Sequence, residues 1–195
     1  MVNLVKKREI VLIEKAIDQQ TAKTSPGVLY VVATPIGNLE DVTFRAARIL
    51  GEADVIAAED TRRTRVLLQH LNIVPRQLIS LHEHNEARQV AKLVRRMTNG
   101  ESIALVSDAG TPLISDPGYR LVRAASAQSI EVASVPGPSS VTAALSVSGL
   151  ATDRFGFEGF LPQRASARCE RLKQLVYESR TLIFFESPRR IKDVI

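Results

Sequence analysis

From Gly27 onward the chain alternates short apolar runs with amphipathic stretches. The runs Val28–Ala33, Val55–Ala58, Leu78–Leu81, Ile103–Ser107 and Ile130–Val135 are rich in Val, Ile and Leu and mostly lack a polar alternation. Continuous runs of this kind suit strands buried on both faces of a parallel sheet. The clearest helix spans Glu86 to Met97: Val90, Leu93, Val94 and Met97 fall at i, i+3, i+4 and i+7, and Asn99-Gly100 stops it. Strand, helix and strand at this spacing predict right-handed crossovers and an open parallel α/β sheet. A second apolar system opens at Phe155, with strands over Phe155–Leu161 and Thr181–Phe185, a helix over Ser166–Val176, and a further helix begun after Ser187-Pro188. Two strands and part of a helix are too few for a complete domain. The expected organisation is an extension over 1–26, an α/β domain over 27–152, and the beginning of a second α/β domain over 153–195 whose C-terminal part is missing. Ile10, Ile13 and Ile17 fit either a short amphipathic helix or a frayed arm.

Composition narrows the class. The 195 residues are 45% hydrophobic and 24% charged, as in an ordinary globular chain with a sizeable core. The single Cys169 excludes an intramolecular disulfide and any CxxC metal knuckle, and suits a reducing cytosol. No apolar run approaches the roughly 18 residues of a membrane span, and the N-terminus lacks the basic-then-apolar order of a signal peptide. A soluble cytoplasmic protein without membrane contact is expected. The net charge of +5 is uneven: residues 28–158 carry −1 and residues 159–195 carry +4. A basic segment beside a neutral body suits a phosphate-bearing partner; a solvated Arg-rich helix face explains it equally well.

Pro and Gly collect just after the strands, where an open parallel sheet places its ligand loops. Three loops stand out: Ala33-Thr34-Pro35-Ile36-Gly37-Asn38, the stretch from Ser107-Asp108-Ala109-Gly110-Thr111-Pro112 to Asp116-Pro117-Gly118, and Pro136-Gly137-Pro138-Ser139-Ser140. Such loops converge on one crevice. Asp108 beside a small-residue bend could bond ribose hydroxyls, or act as an N-cap or Asx turn. Asp116 before Pro117-Gly118 reads first as a turn former, with a ligand contact as the second reading. Ser139 and Ser140 could present hydroxyls and N–H groups to an anion at a helix start, or simply cap it. The strand ends Glu59-Asp60-Thr61-Arg62-Arg63 and His82-Glu83-His84-Asn85-Glu86 carry charged groups, with Asn85 as a candidate cap. His-Glu-His is a weak metal site, because alternate residues of an extended chain supply two ligands at most, and no metal is expected. GxGxxG, GxxxxGK[ST], HExxH and GxSxG are all absent, which removes support for hydride transfer, NTP hydrolysis, zinc proteolysis and the serine-hydrolase elbow.

Taken in order, these loops resemble the tetrapyrrole methylase superfamily, and within it the ribosomal RNA small subunit methyltransferase I family. The resemblance rests on Leu29 to Leu39, Ala58-Glu59-Asp60-Thr61-Arg62, His84-Asn85-Glu86, Leu105 to Pro112 with Asp116-Pro117-Gly118, Pro136-Gly137-Pro138-Ser139, and Glu158-Gly159-Phe160-Leu161-Pro162. It implies two α/β domains with S-adenosyl-L-methionine folded into the cleft between them, a homodimer, and methylation of a cytidine ribose 2′-oxygen in small-subunit (16S) ribosomal RNA, with no DNA partner. Carried over by motif, the donor-binding positions are Pro35, Ser107, Asp108, Ala109, Gly110, Thr111, Ser139, Ser140, Phe160 and Leu161. A proton acceptor or orienting group is expected from Asp60, His82 or Glu83, which follow strands beside the donor loops. The alternatives are a methylase of corrinoid or porphyrin precursors and a non-catalytic RNA-binding relative.

Overall fold

A computed structural model describes residues 26–194; the expected N-terminal helix or arm lies outside the described residues. Five strands, β1 (Val28–Val32), β2 (Val55–Ala58), β3 (Leu78–Ser80), β4 (Ile103–Val106) and β5 (Glu131–Val135), form one sheet in the order β3-β2-β4-β1-β5. Every neighbouring pair is parallel. Period-two alternation splits the strand residues between two apolar layers. Val32, Ile56, Ala58, Ala104 and Val106 face Ala46, Ile49 and Leu50 of α1 (Phe44–Glu52) and Leu67 and Leu68 of α2 (Thr61–His70). Leu29, Val55, Ala57, Ile103 and Leu105 face Leu93 and Met97 of α3 (Glu83–Thr98) and Leu121 and Ala125 of α4 (Tyr119–Ala127). All residues of β2 and β4 are buried, which accounts for their unbroken apolar sequence.

This order sets the site. The chain leaves β1 and β2 toward the layer of α1 and α2, but leaves β4, which lies between them, toward the layer of α4. Adjacent loops that part to opposite faces open a crevice at the carboxyl ends of the strands. After β5, α5 (Ser140–Val147) leads to a separate two-stranded parallel sheet of β6 (Phe155–Phe160) and β7 (Thr181–Phe185), connected through α6 (Ala165–Leu175). Phe185 packs edge-on against Phe157 and Phe160, with ring centroids 4.8 and 5.6 Å away.

Several boundaries differ from expectation. Ala33, Leu81 and Ser107 lie just past the ladders they were assigned to, yet stay buried, so apolar or small character outlasts strand pairing. Ile130 is buried but closes the turn after α4, its N–H donating to Ala125 O behind Ser129 at φ 55°. Helix α3 starts at Glu83 rather than Glu86, because its first turn is polar and invisible to apolar periodicity. Asn85 is therefore not the cap. His82 occupies that position, and Asn85 accepts the His82 N–H at 3.0 Å while donating to Ser80 O at 3.0 Å. After Ser187-Pro188 the chain makes a turn and then a 3-10 helix, Ile191–Asp193, rather than an α-helix.

Candidate active site at the carboxyl ends of the strands

The three loops are tied to one another by main-chain bonds. Thr34 and Gly110 exchange N–H···O bonds of 2.9 and 3.0 Å, the Thr34 hydroxyl donates to Ser107 O at 3.3 Å, and the Thr111 hydroxyl donates to Pro138 O at 3.2 Å. Gly110 has φ +84°, and a Cβ there would stand 3.3 Å from the Ile36 side chain, so both conformation and space call for glycine. The same loop holds Leu113 and Ser115 at φ 73° and 66°. Left-handed backbone in non-glycine residues persists only where surrounding contacts enforce it, and it gathers at functional sites.

A cleft of ≈ 130 Å³ lies where these loops meet the second sheet. It brings together Ala109, Gly110, Thr111, Ser139, Ser140 and Phe160 of the expected donor positions, and adds Asp116 and Phe185. Ser139 precedes α5 without making a side-chain cap bond, so capping does not account for its hydroxyl. Pro35, Ser107 and Asp108 line a neighbouring recess of ≈ 80 Å³ together with Arg63. Leu161 is buried and lines neither space.

Asp108 neither caps a helix nor closes an Asx turn. It joins the β4 and β2 loops: its N–H donates to Glu59 Oε2 at 3.2 Å, its Oδ1 accepts the Asp60 N–H at 3.0 Å, and its Oδ2 lies 3.3 Å from Arg63 Nε. Asp60 is the N-cap of α2, accepting the Arg62 N–H at 2.8 Å and pairing with the Arg62 guanidinium at 2.7 Å. Those hydrogen bonds from Arg62 bring its pKa down to about 2. Glu59 moves the other way: burial raises it, the Asp108 N–H opposes, and the charges of Asp108 and Asp116 add to the rise. Asp116 is likewise raised, first by burial and then by Asp108, with Ser107 opposing. The Ser107 hydroxyl lies near Asp116 but is buried without an aligned hydrogen bond.

On the other side of the β4 loop is a larger cleft of ≈ 540 Å³. Glu59, the run His82-Glu83-His84, Glu86 and the segment 115–120 line it. The two imidazoles stand edge-on, 5.9 Å apart. Glu86 is 6% exposed and its Oε1 accepts the Arg120 N–H at 2.9 Å, capping α4 in place of Gly118, which has no side chain. Thus Asp60 stands apart from His82 and Glu83, which share the larger cleft. Glu59, Glu86 and Asp116 were not singled out in the sequence as site residues. Their burial comes from segments far away in the chain, and only the clustering of acids at strand ends could have pointed to them. Among the described residues no group of three His, Cys, Asp or Glu is arranged to hold a metal, and no helix is long and apolar enough to cross a membrane.

The sequence model of the family described as Tetrapyrrole (Corrin/Porphyrin) Methylases matches residues 28–195. A protein named ribosomal RNA small subunit methyltransferase I from Xylella fastidiosa (strain Temecula1 / ATCC 700964) is 56% identical over 172 residues, covering 88% of this chain and 63% of the relative. The protein of the same name from Escherichia coli O157:H7 is 52% identical over 174 residues, covering 89% of this chain and 60% of the relative. The chain thus spans about 60% of the length of the curated relatives it matches. Among solved structures, uroporphyrin-III-C-methyltransferase from Thermus thermophilus aligns with TM-score 0.52 at 23% identity, over 70% of this chain and 64% of that one. A diphthine synthase aligns with TM-score 0.58 at 16% identity, over 83% and 66%. These two support the fold alone. The sequence match over 28–195, on a parallel sheet whose loops converge as described, places the chain in the tetrapyrrole (corrin/porphyrin) methylase family.

Proposed function

We propose that this chain belongs to an S-adenosylmethionine-dependent methyltransferase acting on a cytidine ribose 2′-oxygen of small-subunit ribosomal RNA. The observation that carries the reading is the 52–56% identity to proteins named ribosomal RNA small subunit methyltransferase I. The cleft of ≈ 130 Å³ supports it, because its lining suits such a donor. Ala109-Gly110 leaves main chain open to close approach, Ser139 and Ser140 set hydroxyls at a helix N-terminus where a carboxylate is favoured, and Phe160 and Phe185 supply apolar faces. When bound, S-adenosylmethionine supplies a methyl group activated by its sulfonium.

The residues of the chain do the positioning, which is worth much of the acceleration in such a displacement. Pro35 and Ser107 back the cleft from the neighbouring recess, and Asp108 fixes the β4 loop to the β2 loop. Asp60, ionised and clamped to Arg62, orients α2 rather than taking protons. His82 and Glu83 face the larger cleft as contacts for the acceptor. Phe44 and Val147 are 99% and 84% exposed, and large apolar side chains of this kind are what a second copy would cover in a homodimer.

Transfer of labelled methyl from S-adenosylmethionine to small ribosomal subunits lacking the mark tests the reading. Label on a cytidine 2′-oxygen is the expected result. Label on a base, or none on subunits shown to be unmodified, overturns it. Sedimentation tests the dimer, where a monomer at micromolar concentration would contradict it.

A further inference from the structure

The larger cleft has a chemistry that its volume alone does not reveal. At ≈ 540 Å³ it falls in the range of small-molecule sites. Its charged groups are the carboxylates Glu59, Glu83, Glu86 and Asp116 against one guanidinium, Arg120, with His82 and His84 between α3 and the β4 loop. An anionic group would be repelled there, whereas a ligand presenting N–H and O–H donors would be held. Two polar groups on its wall are under-used. Glu86, 94% buried, bonds Arg120 through Oε1 alone, and His82 Nδ1 is buried at the start of α3, where it faces the Asn85 N–H without an aligned hydrogen bond. Desolvated acceptors left in this state gain when a donor arrives.

The cleft is also joined to its smaller neighbour. Asp116 lines both spaces, and Ser115 beside it lies in the larger cleft against Gly159 of β6. An acceptor in the larger cleft and a methyl donor in the smaller one would meet at this carboxylate. Beside the recess, Arg62 and Arg63 at the start of α2 are held by Asp60 and Asp108, so a flanking phosphate would reach these guanidinium groups only in exchange with, or alongside, those carboxylates. An anionic polymer would use such an acidic pocket by inserting base and ribose and leaving its phosphates outside.

Resting on the functional reading above, we propose that the cleft between the N-terminal ends of α3 and α4 is the acceptor-nucleoside pocket. In it, Glu86 accepts from the exocyclic amine of the base, and Asp116 takes the proton of the ribose hydroxyl. The preference for an amino base follows from pairing rules, since a carboxylate accepts from the cytosine N4 amine and repels the keto oxygen that uracil carries there. The hydroxyl loses its proton to Asp116 as its oxygen bonds the methyl carbon, and the electron pair of the broken carbon–sulfur bond stays on the donor's sulfur. The groups around Asp116 are Asp108 and Ser107 from the β4 loop, Glu59 from the β2 loop, His82 before α3, Glu83, His84 and Glu86 of α3, and Arg120 of α4 as the one cation lining the cleft. Burial, opposed by the Ser107 hydroxyl and reinforced by the charge of Asp108, leaves Asp116 more basic than a surface aspartate, the direction that favours a proton acceptor.

The test has two readouts. In amide NMR titrations of the protein, cytidine is expected to shift residues 83–86 and 115–120 saturably, and uridine to bind roughly tenfold more weakly, the size of one good base contact. Glu86→Gln, with its fold checked by circular dichroism, should remove that preference. Shifts elsewhere, or equal binding of uridine, overturn the pocket. In single-turnover transfer to RNA, Asp116→Asn should slow the reaction at least about 100-fold, leave cytidine affinity within about threefold, and abolish the acid limb of the pH–rate profile. A near-normal rate or an unchanged limb overturns the base assignment. If the wild-type protein labels no RNA, the base assignment falls with the functional reading, while cytidine shifts confined to the cleft would still uphold the pocket.

Discussion

Every residue of β2 and β4 is buried, whereas α6 buries none and β7 is half-buried along its whole length. Both regions are parallel strands joined through helices, so the contrast lies in what covers them. The five-stranded sheet is sandwiched between two helical layers and closes its own core. The β6–β7 sheet leans on three phenylalanines and a few ion pairs, among them Arg171 with Glu158 and Arg190 with Glu186 at 3.0 Å. Yet the smaller cleft draws its walls from both: loops of the first region and Phe160 and Phe185 of the second. The well-buried half thus supplies backbone and hydroxyl groups to the cleft, and the half-buried sheet supplies two aromatic faces.

The largest effect should come from breaking the rigid half. Leu105→Ala removes a fully buried side chain from the central strand and should cost about 2–5 kcal/mol in urea unfolding. Leu182→Ala on half-buried β7 should cost no more than about 1–2 kcal/mol. Equal losses would mean the second region is packed as tightly as the first. Next in size, Gly110→Ala forces a side chain into a left-handed position and against Ile36, and should lose about 1–2 kcal/mol while weakening the donor site. Arg171→Ala should cost only about 0.2–1 kcal/mol, and less at high salt, since the arginine is 42% exposed.

The smallest effect sharpens the electrostatic side of the comparison. Glu59 holds its proton to higher pH in the folded state than in the unfolded one, through burial first and the neighbouring Asp108 and Asp116 charges after it. Folding then binds a proton in that window, so stability falls as pH rises through it. Glu59→Gln should therefore lose less Tm than wild type between about pH 4 and pH 8, with the two converging at the acid end. Parallel Tm curves would contradict the assignment.

The two regions also differ in how far they could be read from sequence. Strands β2 and β7 fall where the apolar runs place them, because full or partial burial imposes continuous hydrophobicity. The first turn of α3 lies outside the apolar pattern because Glu83 and His84 face a polar cleft and Asn85 bonds back to His82 and Ser80. Of the ten expected donor positions, six line one cleft and three the adjoining recess, since a glycine- or serine-bearing loop after a parallel strand has few other places to go. Asp116 was harder. Its local sequence, Asp-Pro-Gly, is that of a turn, and its altered proton affinity depends on burial and on Asp108, eight residues earlier across a strained loop. Likewise Asp108 reaches partners 48 and 49 positions away, beyond any local pattern.

The proposed donor cleft draws its walls from both the fully buried sheet's loops and the half-buried β6–β7 sheet. Calorimetric titration of S-adenosylmethionine into the wild-type protein, Gly110→Val and Phe160→Ala tests it most directly. Saturable binding to one site per chain is expected, weakened severely by either substitution although the two residues belong to different regions. No binding by wild type, or binding that Phe160→Ala leaves intact, would contradict it.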